Sequence, residues 1–454
     1  MAAGLYGADV AQLRSLAAQF SQAADQLDRG RLQVGDGIRI SAWIGPFAAS
    51  FRLRWDSEHS LRIAAAAHRL RDGAARLRAN ADEQERASAA DGGSGRALAQ
   101  IVPPSMPASD ASPSEVRDWW NSLTSEQQQA LIKQDPVRIG NLNGVPFEAR
   151  AEANRLTAQS RLDAVQDRLR EMGDEPPEVS PWLLLTPVQH AAATAARDLW
   201  LEERKALLNE QGFLTAVTEG RRTLVVYDPA EERIVEMLGK PGPGTTDVIT
   251  YVPGTGTNMD SFHSGGAQQV ATYLTDTDKS GGTVSFVYKD GPWSSWSAPW
   301  SETANTSNAF AMREGRQLAE FQQAVALETE LAGARTTAMG HSAGMSILSG
   351  SEAAGAHYDN AFSLAGAWLV EGWQPDPATN YQHFQYGVDA LNYAQPFGDY
   401  PAETPAFGQN VMAPGVHHFV GIPYQNELGN HTRIGEGPKT NQDALLRIAG
   451  EIYR

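Results

Sequence analysis

Gly340-His341-Ser342-Ala343-Gly344 joins a serine hydroxyl to two flanking glycines, directly after the apolar run Ala334–Met339 and before a helix-like stretch. Such a pentapeptide reads as a sharp strand-to-helix turn that leaves the serine at its tip. The helix that follows opens with N–H groups lacking intrahelical partners, which can face a developing oxyanion. Glycine suits both flanks because a Cβ would clash in so tight a crossing. The pentapeptide is common by chance. Its weight here comes from the strand before it, the helix after it, and an acid and a histidine downstream in the order serine, acid, histidine.

A serine hydroxyl needs a neighbouring base, and the base needs an orienting acid. Asp389 follows the strand-like Tyr386-Gly387-Val388 and is the first candidate for the acid; Glu371 and Asp376, after the preceding strand, are the alternatives. His431 is the candidate base, expected in a loop between the last strand and the C-terminal helix. His417 and His418 lie inside the apolar stretch Val416–Ile422 and are expected to be packed sheet residues. No spaced carboxylate or histidine completes a ligand set around them, so no metal site is read. Acyl transfer through serine requires no metal or organic cofactor. His341 is expected to point away from the base and to shape the substrate pocket or pack the turn.

Two backbone donors are needed for an oxyanion. Ala343 N–H is one. The other is expected from Pro253-Gly254-Thr255-Gly256-Thr257-Asn258, with Thr255 and Gly256 equally placed; a tight loop without a ligand is the plainer alternative. Gly254 and Gly256 also begin a dinucleotide fingerprint, but no third glycine follows at the right spacing. Trp293, Trp296 and Trp300 follow a strand end, where they either wall an apolar acyl pocket or pin a long loop.

The framework that carries these residues begins at Thr223. Leu224–Tyr227 and Arg233–Met237 flank a turn and read as a hairpin. Strands are then expected at Asp247–Val252, Thr283–Tyr288, Arg335–Met339, Ala361–Leu364, Gln382–Val388 and Val416–Ile422, alternating with helices near 264–274, 306–332, 343–355 and 440–453. This alternation predicts an α/β fold, a mainly parallel sheet with helices on both faces and a site at the carboxyl ends of its strands. Upstream, residues 112–212 read as a helical region, with capping boxes at Ser112/Glu115 and Thr124/Gln127. Residues 91–111 are a Gly/Ser/Pro-rich linker. Residues 1–90 read as two amphipathic helices joined at Trp43-Ile44-Gly45-Pro46, a helical hairpin. The catalytic domain is expected over 213–454.

The chain has 454 residues, a formal net charge of −17 and no cysteine. The acidic balance argues against nucleic acid as a partner, and the missing cysteine excludes thiol nucleophiles, disulfides and thiolate metal sites. MAAGLYGADVAQL has no basic segment followed by an apolar one, so a classical signal peptide is not expected, and no apolar run approaches a transmembrane segment in length.

Two resemblances add to this reading. The hairpin, with W-x-G at Trp43 and Gly45, resembles the WXG-type proteins of type VII (ESX-like) secretion systems of Gram-positive bacteria. That resemblance implies a WXG-type partner protein and a type VII-like route of export, with the cytoplasm as the alternative location. The family's Y-x-x-x-D/E signal has no counterpart near residues 80–95, so a partner chain would have to supply it. From 112 onward, Val116–Leu123, Ile139–Pro146, Arg150 and Ala153-Asn154-Arg155, together with Val252-Pro253-Gly254-Thr255 and Gly340-His341-Ser342, resemble an actinobacterial family of uncharacterised α/β-hydrolases. It implies the α/β-hydrolase fold with Ser342, Asp389 and His431 as its triad. The function expected is that of a serine hydrolase cleaving carboxylic esters, esterase- or lipase-like, on a small-molecule or lipid substrate. The competing expectation is a binding protein that docks a secretion partner through its N-terminal hairpin.

Overall fold

The computed structural model describes residues 10–40, scattered positions between 55 and 78, and residues 106–108, 110–178, 187–293, 307–389, 391, 399–414, 416–419, 422–425 and 427–454. Trp43, Gly45, Trp296 and Trp300 lie outside the described residues, as do the side chains of His417 and His418. The chain divides into two compact units, residues 1–100 with 175–201, and residues 101–174 with 202–454.

In the first unit, helix α1 (Val10–Ile40) is paired with helical residues between 60 and 78. Arg78 Nη2 donates to Ser21 Oγ at 2.7 Å, Arg71 pairs with Asp28 at 2.7 Å, and Arg31 Nη1 donates to Ser60 Oγ at 3.3 Å. One set of numbers falls as the other rises, so the two segments run antiparallel. Ala17, Ala24, Ala67 and Ala74 are fully buried. Small side chains at the seam let the helix backbones approach closely.

The second unit starts with four helices, α2 (Pro113–Asn121), α3 (Ser125–Gln134), α4 (Pro136–Asn141) and α5 (Phe147–Glu171). Both capping boxes form: the Ser112 and Thr124 side chains accept from the third-residue N–H, and Glu115 and Gln127 reach back. Val116, Trp120, Leu131, Ile132, Ile139 and Val145 close a small core of their own. Helix α6 (Pro187–Thr218) follows, and the division between the units falls within it.

Strands β1 (Thr223–Asp228), β2 (Arg233–Leu238), β3 (Asp247–Val252), β4 (Thr283–Asp290), β5 (Arg335–His341), β6 (Asn360–Leu364), β7 (Asn380–Tyr386) and β8 (Gly408–Met412) form one sheet in the order β1-β2-β4-β3-β5-β6-β7-β8. Within this sheet β2 alone runs against the direction of the other seven strands. Every residue of β3 and β4 is buried, as central parallel strands covered on both faces require. Helices α7 (Met259–His263), α8 (Gln269–Thr277), α9 (Asn308–Ala326), α10 (Gly344–Ala353), α11 (Glu427–Arg433) and α12 (Pro438–Ile452) complete the unit. Val270 and Leu274 of α8 and Ile448 and Ile452 of α12 pack with Ile249, Tyr251 and Phe362, while Leu318 and Phe321 of α9 pack with Val248, Phe286 and Tyr288 on the opposite face.

One expected strand is corrected. Val416–Ile422 is not the last strand of the sheet: Val416–Phe419 (β9) and Ile422–Gln425 (β10) form a separate antiparallel pair. The sheet ends instead at β8, whose GQNVM is mostly exposed. An edge strand with water on one side lacks the continuous apolar run that marks an inner strand, so polarity hid it.

The four leading helices join the sheet through residues of the motif that carried the hydrolase resemblance. Asn141 Nδ2 donates to Tyr227 O at 3.0 Å and its Oδ1 accepts Tyr227 N–H at 2.9 Å, doing for the edge strand β1 what a neighbouring strand would do. Asn154 Nδ2 bridges Gly140 O at 2.9 Å and Leu224 O at 3.0 Å. Arg150 is fully buried and donates to Gly140 O and Asn143 Oδ1.

Candidate active site

Strand β5 delivers Ser342 and the chain turns at once into α10. Ser342 has φ 51°, in the left-handed region that a residue with a Cβ disfavours. Its N–H donates to Leu364 O at 3.0 Å, and its carbonyl accepts from Ala367 N–H at 2.9 Å and Met345 N–H at 3.1 Å. The glycines are needed for the reason expected. A Cβ on Gly340 would lie 2.6 Å from Met345 Cα and one on Gly344 2.2 Å from Val252 O. A third glycine, Gly254, lets the loop after β3 approach: its Cβ would stand 2.9 Å from that of Ser342.

Asp389 is fully buried. The strand stops at Tyr386, earlier than the expected Val388, and Val388 turns with φ 60° before the acid. Asp389 Oδ1 accepts Leu391 N–H at 2.8 Å. Of the alternatives, Asp376 is engaged by His357 Nδ1 at 3.0 Å and the Glu371 N–H donates to Asn308 Oδ1.

His431 lies on α11, not in a loop. The short helix is held from outside: the Asn430 side chain donates to Gly387 O at 3.2 Å and Val388 O at 3.3 Å. Asn430 thus ties the base-bearing helix to the turn that carries the acid, a role sequence reading missed. Asparagine is ordinarily an exposed residue, so its type carried no signal. His431 Nδ1 stands 3.1 and 3.2 Å from the two Asp389 oxygens, and Nε2 stands 2.9 Å from Ser342 Oγ. A carboxylate only accepts, so Nδ1 carries the proton and Nε2 is left to accept from the serine hydroxyl. Ser342 and His431 are 6% and 3% exposed, nearly all shielded from competing water.

His341 does not point away from the base. Its ring centroid is 5.6 Å from that of His431, and its Nε2 lies 3.3 Å from the His431 carbonyl. Burial first, and then the neighbouring His431 imidazole, push its pKa down to about 4. The turn after Ser342 leaves the preceding side chain on the cleft side, which strand alternation alone does not reveal.

His341, Thr255 and Gly256 line a cleft of about 300 Å³, bounded also by Thr257, Ser261 and Thr432, which adjoins the turn through His341 and Gly254 and not through Ser342 itself. Ala343 caps α10, so its N–H stands at a helix start. Trp293 packs instead with the core on the α9 face, with Lys289 Nζ 5.9 Å from its ring centroid. Among the described residues no group of three or more His, Cys, Asp or Glu could hold a metal ion, and no helix is long and apolar enough to cross a membrane.

The sheet order, the single antiparallel β2 and the turn at Ser342 are those of an α/β-hydrolase fold. No protein-family model matches the chain. Two curated proteins of Mycobacterium tuberculosis, one from each of two strains and both described as uncharacterized, are 27% identical to it over 282 residues. The match takes in 59% of this chain and 40% of theirs, so the similarity spans two fifths of those relatives' length. Among solved structures, a dienelactone hydrolase from Anabaena variabilis aligns over 48% of this chain and 90% of its own, at 10% identity and a TM-score of 0.29. A lipase-esterase related protein from Clostridium acetobutylicum aligns over 48% and 98%, at 12% identity and a TM-score of 0.28. Identities this low say nothing about substrate.

Downstream of the base, two amides stabilise the turn that follows α11. Asn441 Nδ2 donates to Ile434 O and Glu436 O, and Gln269 Oε1 accepts Gly437 N–H at 2.7 Å.

Proposed function

We propose that this chain is a serine hydrolase that cleaves carboxylic esters through a Ser342–His431–Asp389 triad. The observation that carries the reading is the continuous buried hydrogen-bonded path from Asp389 through His431 to the Ser342 hydroxyl at the tip of the turn. Ser342 Oγ attacks the acyl carbon while His431 Nε2 takes its proton, and the carbon–oxygen double bond opens to a tetrahedral oxyanion. Ala343 N–H and an N–H of the Thr255–Gly256 loop bind that oxyanion. His431 then returns the proton to the leaving alcohol, the acyl-enzyme forms, and water repeats the sequence to release the acid. Asp389 holds the Nδ1–H tautomer and stabilises the imidazolium. In the same reading the N-terminal unit docks a WXG-type partner that carries the chain through a type VII-like route.

The test is reaction with a fluorophosphonate probe, native protein beside Ser342→Ala. Labelling is expected in the native protein and absent from the variant, with hydrolysis of p-nitrophenyl esters falling by at least about a thousandfold. A folded native protein that neither labels nor hydrolyses refutes the reading.

A further inference from the structure

The cleft adjoining the turn is small, and much of its described lining bears hydroxyls: Thr255, Thr257, Ser261, Ser264 and Thr432. His341 adds an acceptor to it. The His431 carbonyl offers only lone pairs, so the contact at 3.3 Å requires a proton on His341 Nε2. With a pKa held near 4 by burial and by His431, the ring is neutral at pH 7. A neutral imidazole with its proton on Nε2 leaves Nδ1 as a bare acceptor, and among the described residues Nδ1 has no hydrogen-bond partner. Two glycines pack against this edge of the ring. A Cβ on Gly254 would lie 3.1 Å from Nδ1 and one on Gly435 2.9 Å, and both glycines border the cleft.

We infer that His341 is a specificity-determining residue whose Nδ1 accepts a hydrogen bond from a substrate hydroxyl, so that the cleft selects small hydroxylated esters over plain ones. The inference rests on the reading of Ser342 as nucleophile. In the same arrangement Nε2–H holds the His431 backbone against the turn. One imidazole thereby links the bound substrate to the base.

The experiment measures kcat/KM for matched pairs with the hydroxyl on either arm of the ester: p-nitrophenyl β-hydroxybutyrate against p-nitrophenyl butyrate, and glycerol monobutyrate against propyl butyrate. The native enzyme is expected to prefer the hydroxylated member of at least one pair by about five- to tenfold, the worth of one neutral hydrogen bond. His341→Phe keeps a ring of similar size and is expected to bring that ratio to about one. His341→Gln, with an amide donor and acceptor, is expected to retain it. A general loss of activity cancels in the ratio, so damage to packing alone does not move it. Absence of preference in the native enzyme on both arms, or a preference that survives in His341→Phe, overturns the inference. If His341→Phe does not fold, the native ratios and those of His341→Gln decide. Labelling of Ser342 by the fluorophosphonate separates the two failures: labelling without hydroxyl preference removes this inference alone, and no labelling removes the reading of the site as well.

Discussion

At Ser342 the backbone holds a φ of 51°, a conformation that costs on the order of 1 kcal/mol for a residue with a Cβ. The surrounding hydrogen bonds to Leu364 O and from Ala367 and Met345 keep it there. The glycines on either side have no such freedom to change. In Gly340→Ala the new methyl would meet Met345 backbone at 2.6 Å, so a loss of at least about 2 kcal/mol in urea unfolding and loss of fluorophosphonate labelling are expected. At Gly212, exposed in α6, an added methyl would have nothing within 4 Å. Gly212→Ala is expected to stabilise by about 0.5–1 kcal/mol through helix propensity. Equal effects at the two sites would show that crowding at the turn is not what selects glycine.

At the scale of elements, the site depends on how α10, β6 and β7 are held. Glu352 near the end of α10 accepts from Tyr381 Oη–H of β7 at 2.7 Å and from Trp373 Nε1–H of the β6–β7 connection at 2.8 Å. Burial raises its pKa from the ordinary 4.5 to about 7 in spite of those two donors. Below about pH 4.5 the carboxyl is protonated in both folded and unfolded chains, and its favourable contribution is complete. As pH rises towards 7 the unfolded chain ionises first, so that contribution is lost. The melting temperature of the native protein is therefore expected to fall between pH 5 and pH 8 by a few degrees more than that of Glu352→Gln. Calorimetry at the two pH values checks this; parallel pH dependences would show that Glu352 is not the titrating group.

At the scale of the molecule, the helices α2–α5 belong to the same unit as the sheet, whereas residues 1–100 belong to the other. Asn141, Arg150 and Asn154 explain the first fact, since they satisfy backbone groups of β1 or of the helices beside it. If the N-terminal unit serves docking and not chemistry, a chain beginning at residue 101 should retain fluorophosphonate labelling of Ser342 within about twofold of the full chain. Loss of labelling with the sheet unit still folded would assign residues 1–100 a part in the site.

Local pattern alone made the parallel strands legible, because their continuous apolar runs are buried on both faces, and the turn at Ser342, because its glycines answer to local crowding. It also pointed to Asp389 and His431, since strand order places chain segments in a known succession along the sheet. Other features came from contacts between distant segments. The edge strand β8 is polar, so it carries no apolar signature and needs β7 beside it to be a strand. Helix α11 is too short to stabilise itself and exists through Asn430 bonding to the Asp389 turn. The orientation of His341 towards His431 follows from a left-handed turn and from glycines distant in sequence, Gly254 and Gly435, which leave its ring room. Residue order reports what a segment buries; which distant groups meet across that burial is settled by the packing of the whole unit.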